Sequence, residues 1–157
     1  MKIEKSKRSA TVCVSDGWRL DVNLFLRQVA EEHSGRELIL DILNSKARFI
    51  PLEDFQENEI LIVNKSKIMW VELKERDLIE ETMFAPEIPV EVKLTNGEIL
   101  TGSLFLEMPP ERSRLSDCLN FSPQFLYLCR EKGDIILNKA YVFSVKEKMK
   151  GAEQEGS

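Results

Sequence analysis

Apolar and polar residues alternate along much of this chain at the two-residue period of a half-buried strand, with breaks at Gly, Asn, Asp and Pro. One break, Asp16-Gly17, lies between two β-rich runs, and the same arrangement returns at Asn96-Gly97. Both dipeptides supply the positive φ that a type I′ hairpin turn needs, so each predicts strand, turn and strand. In the second hairpin Ile99, Leu104 and Leu106 mark the outgoing strand, with a bend expected at Gly102. After each hairpin the apolar spacing becomes helical: Ile39, Ile42 and Leu43 in one case, Leu115, Cys118 and Leu119 in the other. Ser34 or Gly35 is the expected cap of the first helix, and Pro109-Pro110 the expected start of the second. Three strands then follow each helix: Ala47–Glu53, Glu59–Val63 and Lys67–Leu73, and later Gln124–Cys129, Asp134–Leu137 and Ala140–Glu147. The last two of each set meet at Asn64-Lys65 and Asn138-Lys139, where Asn tolerates the left-handed backbone of a tight turn.

The two runs of elements are also related residue by residue. Val12–Leu26 lies over Val92–Leu106, Arg36–Leu52 over Arg112–Leu128 and Val63–Val71 over Leu137–Val145, with 15 identities in 41 compared positions. The sequence therefore predicts two copies of one β-β-α-β-β-β unit, at residues 11–73 and 89–147. Residues 74–88, with Leu78, Ile79, Met83 and Phe84 among charges, predict a linker containing a short helix. The tails, 1–10 and 148–157, are expected to be disordered. Five short strands laid flat leave unpaired edges, and curling removes them. The expected fold is mainly β: two small five-stranded barrels, each with a short helix inserted between its strands 2 and 3.

Composition narrows the function. The 157 residues carry 22 basic and 27 acidic side chains, a net charge of −5, which disfavours a dedicated nucleic-acid or membrane-surface binder. No apolar run approaches the roughly 20 residues of a membrane span, and Met1–Ala10 leads into no signal-peptide apolar region. No membrane partner and a cytoplasmic location are the expectations. Cys13, Cys118 and Cys129 lack Cys-x-x-Cys spacing, which suggests a reducing compartment and no disulfide framework. The lone His33, beside Glu31 and Glu32, reads as a solvated loop histidine and leaves little for metal or triad chemistry. There is no phosphate-binding Gly-rich loop and no Gly-x-Ser-x-Gly. The expectation is a protein that is not an enzyme and has no cofactor and no metal.

The conspicuous polar groups recur in both copies: Asp41-x-Leu43-Asn44 with Asp117-x-Leu119-Asn120, and Lys65 with Lys139. A carboxylate beside an amide suits a base or a divalent ion, and two lysines at turns suit a phosphate. Arg112 and Arg114 with Lys139 would form a local basic site, with Phe121, Phe125 and Tyr127 available to stack on bases. Each also has a structural reading. Asn can end a helix while Asp pairs with Arg36, Arg112 or a backbone donor, and Phe125, aligned with Phe49, suits the core. Occurrence in both copies favours the structural reading of the Asp and Asn, since one pocket needs only one set. Regional charge argues against an extensive nucleic-acid footprint: the first copy carries −4, the second −1, and only residues 1–10 are basic, at +3. Trp18 and Trp70 face Glu98 and Ser144 in the alignment, which makes them candidates for a copy-specific interaction surface.

Val90–Leu106, V-x-V-x-L-x-x-G-x-x-x-x-G-x-L, resembles the first motif of the Sm-like family of small barrels, and Leu137–Val145 is similar to its short second motif. The first copy departs with Val22 at the second glycine, the turn has Asn-Lys where many members have Arg-Gly, and Asp117 and Asn120 enclose two residues instead of three. The Asp-x-Leu-Asn and Leu-Asn-Lys motifs also resemble an uncharacterised bacterial domain. The Sm-like resemblance implies assembly through barrel edges, hence a homo-oligomer of about three tandem chains if six barrels close a ring. It also implies single-stranded RNA at Asn44, Lys65, Asn120 and Lys139. The leading expectation remains a non-enzymatic adaptor whose strand edges or linker face bind a protein partner. RNA binding is the first alternative and a ligand-sensing regulatory domain the second.

Overall fold

The computed structural model describes residues 5–28, 30, 33, 35–106 and 115–148. They form β1 (Lys5–Val14), β2 (Arg19–Arg27), α1 (Ile39–Leu43), β3 (Phe49–Asp54), β4 (Ile60–Asn64) and β5 (Ile68–Leu73). After α2 (Glu80–Met83) come β6 (Glu87–Leu94), β7 (Ile99–Phe105), α3 (Leu115–Phe121), β8 (Phe125–Leu128), β9 (Ile135–Asn138) and β10 (Val142–Glu147). A 3₁₀ turn joins β4 to β5 and another joins β9 to β10. The protein is mainly β, with ten strands among the described residues arranged in two antiparallel sheets.

Hydrogen bonding does not divide these strands five and five, and neither sheet closes. A seven-stranded sheet runs β4-β3-β2-β1-β5-β9-β8 and a three-stranded sheet β10-β6-β7. The division falls there because β5, the last strand of the first half, pairs with β9 of the second through Trp70–Leu137, Val71–Ile136 and Glu72–Ile135. The register nevertheless recurs. Val12 pairs with Leu20 and Val71, as Val92 pairs with Leu100 and Val145. Phe49 opposes Asn64 as Phe125 opposes Asn138, and both β1–β5 and β6–β10 break register at the same place.

Pleating explains the packing. Successive side chains of a strand point to opposite faces, so a strand covered on both sides serves two cores. β5 sends Ile68, Val71 and Leu73 into a core with Val12, Val22, Leu24 and Leu52, and Met69 and Trp70 into a second core with Val90, Val92 and Leu128. β9 does the same, with Ile136 in the first core and Ile135 and Leu137 in the second. Each half thus completes its core with side chains from the other.

Three local expectations are corrected. Residues Lys5–Ala10 belong to β1, because β2 extends to Arg27 and supplies partners along their whole length. The hairpin turns are not type I′: Gly17 (φ 95°) and Gly97 (φ 93°) have positive φ, but Asp16 and Asn96 do not. The Gly17 amide bonds the Val14 carbonyl, so the glycine follows a tight turn in the left-handed conformation and restores the ladder. Helix α1 begins after Leu38, three residues beyond Gly35, while Ser34 and Pro109-Pro110 lie outside the described residues.

At Gly102 the backbone of β7 approaches β8, where Ser103 and Cys129 exchange backbone hydrogen bonds of 2.9 Å each. A Cβ on Gly102 would lie 2.6 Å from the Cys129 carbonyl oxygen and 2.8 Å from Leu128 Cγ. Gly102→Ala should therefore force the strands apart and cost about 1–3 kcal/mol, read by urea denaturation.

Residues 74–78 are more than a tether. The Asp77 carboxylate is buried, accepts the Ile39 amide at 2.6 Å and pairs with the Arg8 guanidinium, with Arg36 at 3.7 Å. The Asp77 amide donates to the Tyr127 hydroxyl at 3.0 Å, which donates to Asp134 at 2.6 Å. Asp134 also accepts from Arg76 Nε at 2.9 Å and the Arg130 amide at 3.0 Å. Burial alone would raise the Asp134 carboxyl, but hydrogen bonds from Tyr127, Arg130 and Arg76 hold it below its usual range. The linker is stitched to both halves by one polar network.

Candidate functional site

Asn64 and Asn138 end their strands in extended conformation (φ −75° and −83°), so neither adopts the expected left-handed form. Each instead uses its side-chain carbonyl as a cap. Asn64 Oδ1 accepts from the Ser66 amide at 3.0 Å and hydroxyl at 2.8 Å. Asn138 Oδ1 accepts from the Ala140 amide at 3.0 Å and Gln124 at 2.8 Å.

The lysines that follow point inward. Lys65 Nζ donates to the carbonyls of Leu43 (3.1 Å) and Ser45 (2.7 Å), and Lys139 Nζ to those of Leu119 (2.7 Å) and Ser122 (2.8 Å). These carbonyls lie at the C-terminal ends of α1 and α3, where helices leave acceptors unsatisfied and favour positive charge. Burial lowers the pKa of both lysines, opposed at Lys139 by Cys118. Neither ammonium is presented to a phosphate. Lys65→Met and Lys139→Met should each lower stability by about 1–2 kcal/mol in thermal melts, by stranding these carbonyls.

The remaining candidates scatter. Asn44 ends α1 and makes a two-point bond to the Phe125 backbone, donating at 3.1 Å and accepting at 2.9 Å. It therefore ties the first helix to β8, whereas Asn120 lies exposed on α3. Asp41 accepts the Leu38 amide at 2.7 Å and lies 2.6 Å from His33 Nε2, so it does not pair with Arg36 and the histidine is not simply solvated. Arg112 and Arg114 lie outside the described residues. Phe125 and Tyr127 are buried, Phe121 is exposed, and of the tryptophans only Trp18 reaches the surface, Trp70 being core. All three cysteines are free, and burial pushes the Cys13 thiol up to about 11.

Two surface features stand out among the described residues. A cavity of about 720 Å³ opens between the two 3₁₀ turns, with Lys46, Arg48, Phe49, Ser66, Gln124 and Ala140 in its lining. The other feature is a pair of sheet edges. β4 pairs only with β3, and β10 only with β6. β4 exposes Ile60 and Ile62, and β10 exposes Phe143. The sequence signal for the first edge is the unbroken apolar run Ile60-Leu61-Ile62-Val63, which alternation alone does not orient.

No helix among the described residues is long and apolar enough to cross a membrane. No family model, no curated protein and no solved structure matches the chain.

Proposed function

We propose that this chain is one small β unit used twice, and that it works as a protein-interaction module by accepting a partner strand at its open sheet edges. The recurrence of strand pairing and register in the two halves supports the repeat. The likeness of Val90–Leu106 and Leu137–Val145 to the two Sm motifs is what pictures the unit as small, barrel-like and of Sm type. The observation that carries the interaction reading is the pair of open edges. Natural sheets blunt such edges with charge, proline or bulges. β10 has a bulge at Phe143 and the exposed charges Lys146 and Glu147 but still shows Phe143 to solvent, and β4 shows Ile60 and Ile62. An added strand gains main-chain hydrogen bonds, and these apolar side chains give it something to pack against.

The test is capture from native extract by the wild-type chain, Ile62→Lys and Phe143→Lys, with and without nuclease. Proteins held by the wild type and lost from a variant are the expected result. Capture that both variants leave unchanged would overturn the reading.

A second reading is favoured by the cavity, whose lining includes the exposed cations Lys46 and Arg48 and the exposed ring of Phe49. These suit a single-stranded nucleic acid better than the inward-turned Lys65 and Lys139 do. Fluorescence anisotropy with U-rich and A-rich strands at low and physiological salt tests it, and Lys46→Ala/Arg48→Ala should abolish any binding.

A further inference from the structure

The contact between β5 and β9 is a strand pairing that the chain makes once internally and has the parts to make again at its ends. Within the chain it is extended by the Leu73 amide donating to the Asp134 carbonyl (2.9 Å), Asn138 Nδ2 to the Ile68 carbonyl (2.9 Å) and Tyr141 Oη to the Ser66 carbonyl (2.6 Å). Every strand position of this junction has a counterpart 74 residues away. β4 occupies in the first half the place β9 occupies in the second, and β10 the place of β5. The counterparts have no strand beside them: Leu61, Val63 and Val145 stay half-buried, but two positions change sharply. Ile136 is 0% exposed and Met69 4%, whereas Ile62 is 64% exposed and Phe143 71%. Asn64 caps its own turn as Asn138 does, but its amide nitrogen bonds no carbonyl among the described residues.

We propose that the strand partner of this protein is a second copy of itself: β10 of one chain lies antiparallel along β4 of the next. The proposal rests on the edge-pairing reading and names the partner. Transferring the internal register places Ser144 opposite Val63, Val145 opposite Ile62 and Lys146 opposite Leu61. Phe143 then takes the place that Met69 holds in the internal junction, covering the apolar side of β4. Asn64 Nδ2 reaches the Val142 carbonyl of the neighbour.

Charge agrees with this direction. Continuing the register brings Lys148 opposite Glu59, so Lys146 and Lys148, which flank Glu147 and lie 3.9 and 3.4 Å from Glu91 of their own chain, meet the acidic approach to β4 at Glu57 and Glu59. The reverse orientation would set the lysines beside Lys65 and Lys67 instead. The two surfaces differ, so the contact is heterologous: each chain keeps an open β4 at one end and an open β10 at the other. Assembly continues until the ends meet, or grows as a line.

The test is the mass of the full chain by light scattering over a concentration series. The wild type should exceed the monomer's 18.1 kDa at least twofold, rising with concentration or settling at a closed assembly. Ile62→Lys blocks one edge and Phe143→Lys the other, so each alone should be monomeric. Mixed together they should form a one-to-one pair and stop, because each supplies the edge the other lacks. Hydrogen exchange on the wild type gives a measurement free of mutation: amides in residues 60–64 and 142–147 should slow as concentration rises.

A wild type that stays monomeric at its solubility limit would overturn self-pairing. So would single variants that keep the wild-type mass, or an assembly whose two blocked variants do not complement. Loss of extract proteins on Ile62→Lys, with a monomeric wild type, would leave edge pairing standing with another partner; failure of both experiments removes both readings.

Discussion

Asp77→Ala should cost the fold about 3–5 kcal/mol in denaturant titration, more than the loss of either inward-turned lysine. The carboxylate is buried and serves the Ile39 amide and the Arg8 guanidinium together. Removing it leaves a largely buried cation without its partner and strips the first turn of α1 of an acceptor. Burial and the nearby Arg36 lower the Arg8 pKa, opposed by Glu75. Asp77→Asn should recover part of the loss, since an amide oxygen can still accept from Ile39 but cannot neutralise Arg8. Equal losses for the two variants would mean that charge is not what the site requires.

Asp134→Asn is expected to cost about 2–4 kcal/mol at neutral pH, and its cost should fade in acid. The carboxyl titrates below its unfolded value because Tyr127, Arg130 and Arg76 all bond its ionised form, outweighing the opposing effect of burial. A carboxylate lowered in the folded state stabilises fully above its unfolded pKa, near 4 by ordinary values, and that share is lost as pH falls through the folded value. Wild type and variant should therefore differ most above about pH 5 and converge toward pH 2. Urea titrations of both proteins at several pH values measure this directly; a gap that stays constant with pH would assign the stabilisation to packing of Tyr127.

The elements are legible in the sequence because they rest on local signals. Alternation locates the strands, helical spacing locates α1 and α3, and Asp16-Gly17 and Asn96-Gly97 locate the hairpins. The turn types are not legible, because both Asp-Gly and Asn-Gly suit more than one turn and the choice depends on the strands that flank them. The candidate site is hidden for a related reason. Asn-Lys at a strand end looks alike whether the lysine faces solvent or the helix before it, and only the approach of α1 and α3 to the two 3₁₀ turns brings Lys65 and Lys139 inward. Asp77 gives no signal, since one acid in a charged linker carries no pattern.

By itself, the sequence determined the mainly β character and the order of the elements, because hydrophobic period and turn residues act over a few positions. Tertiary structure alone decided that the strands divide seven and three, that β5 and β9 serve two cores, and that Ile62 and Phe143 stand exposed where Ile136 and Met69 are buried. Those outcomes depend on which strand lies beside which: Ile136 and Met69 sit in strands covered by a neighbour, and Ile62 and Phe143 sit in edge strands.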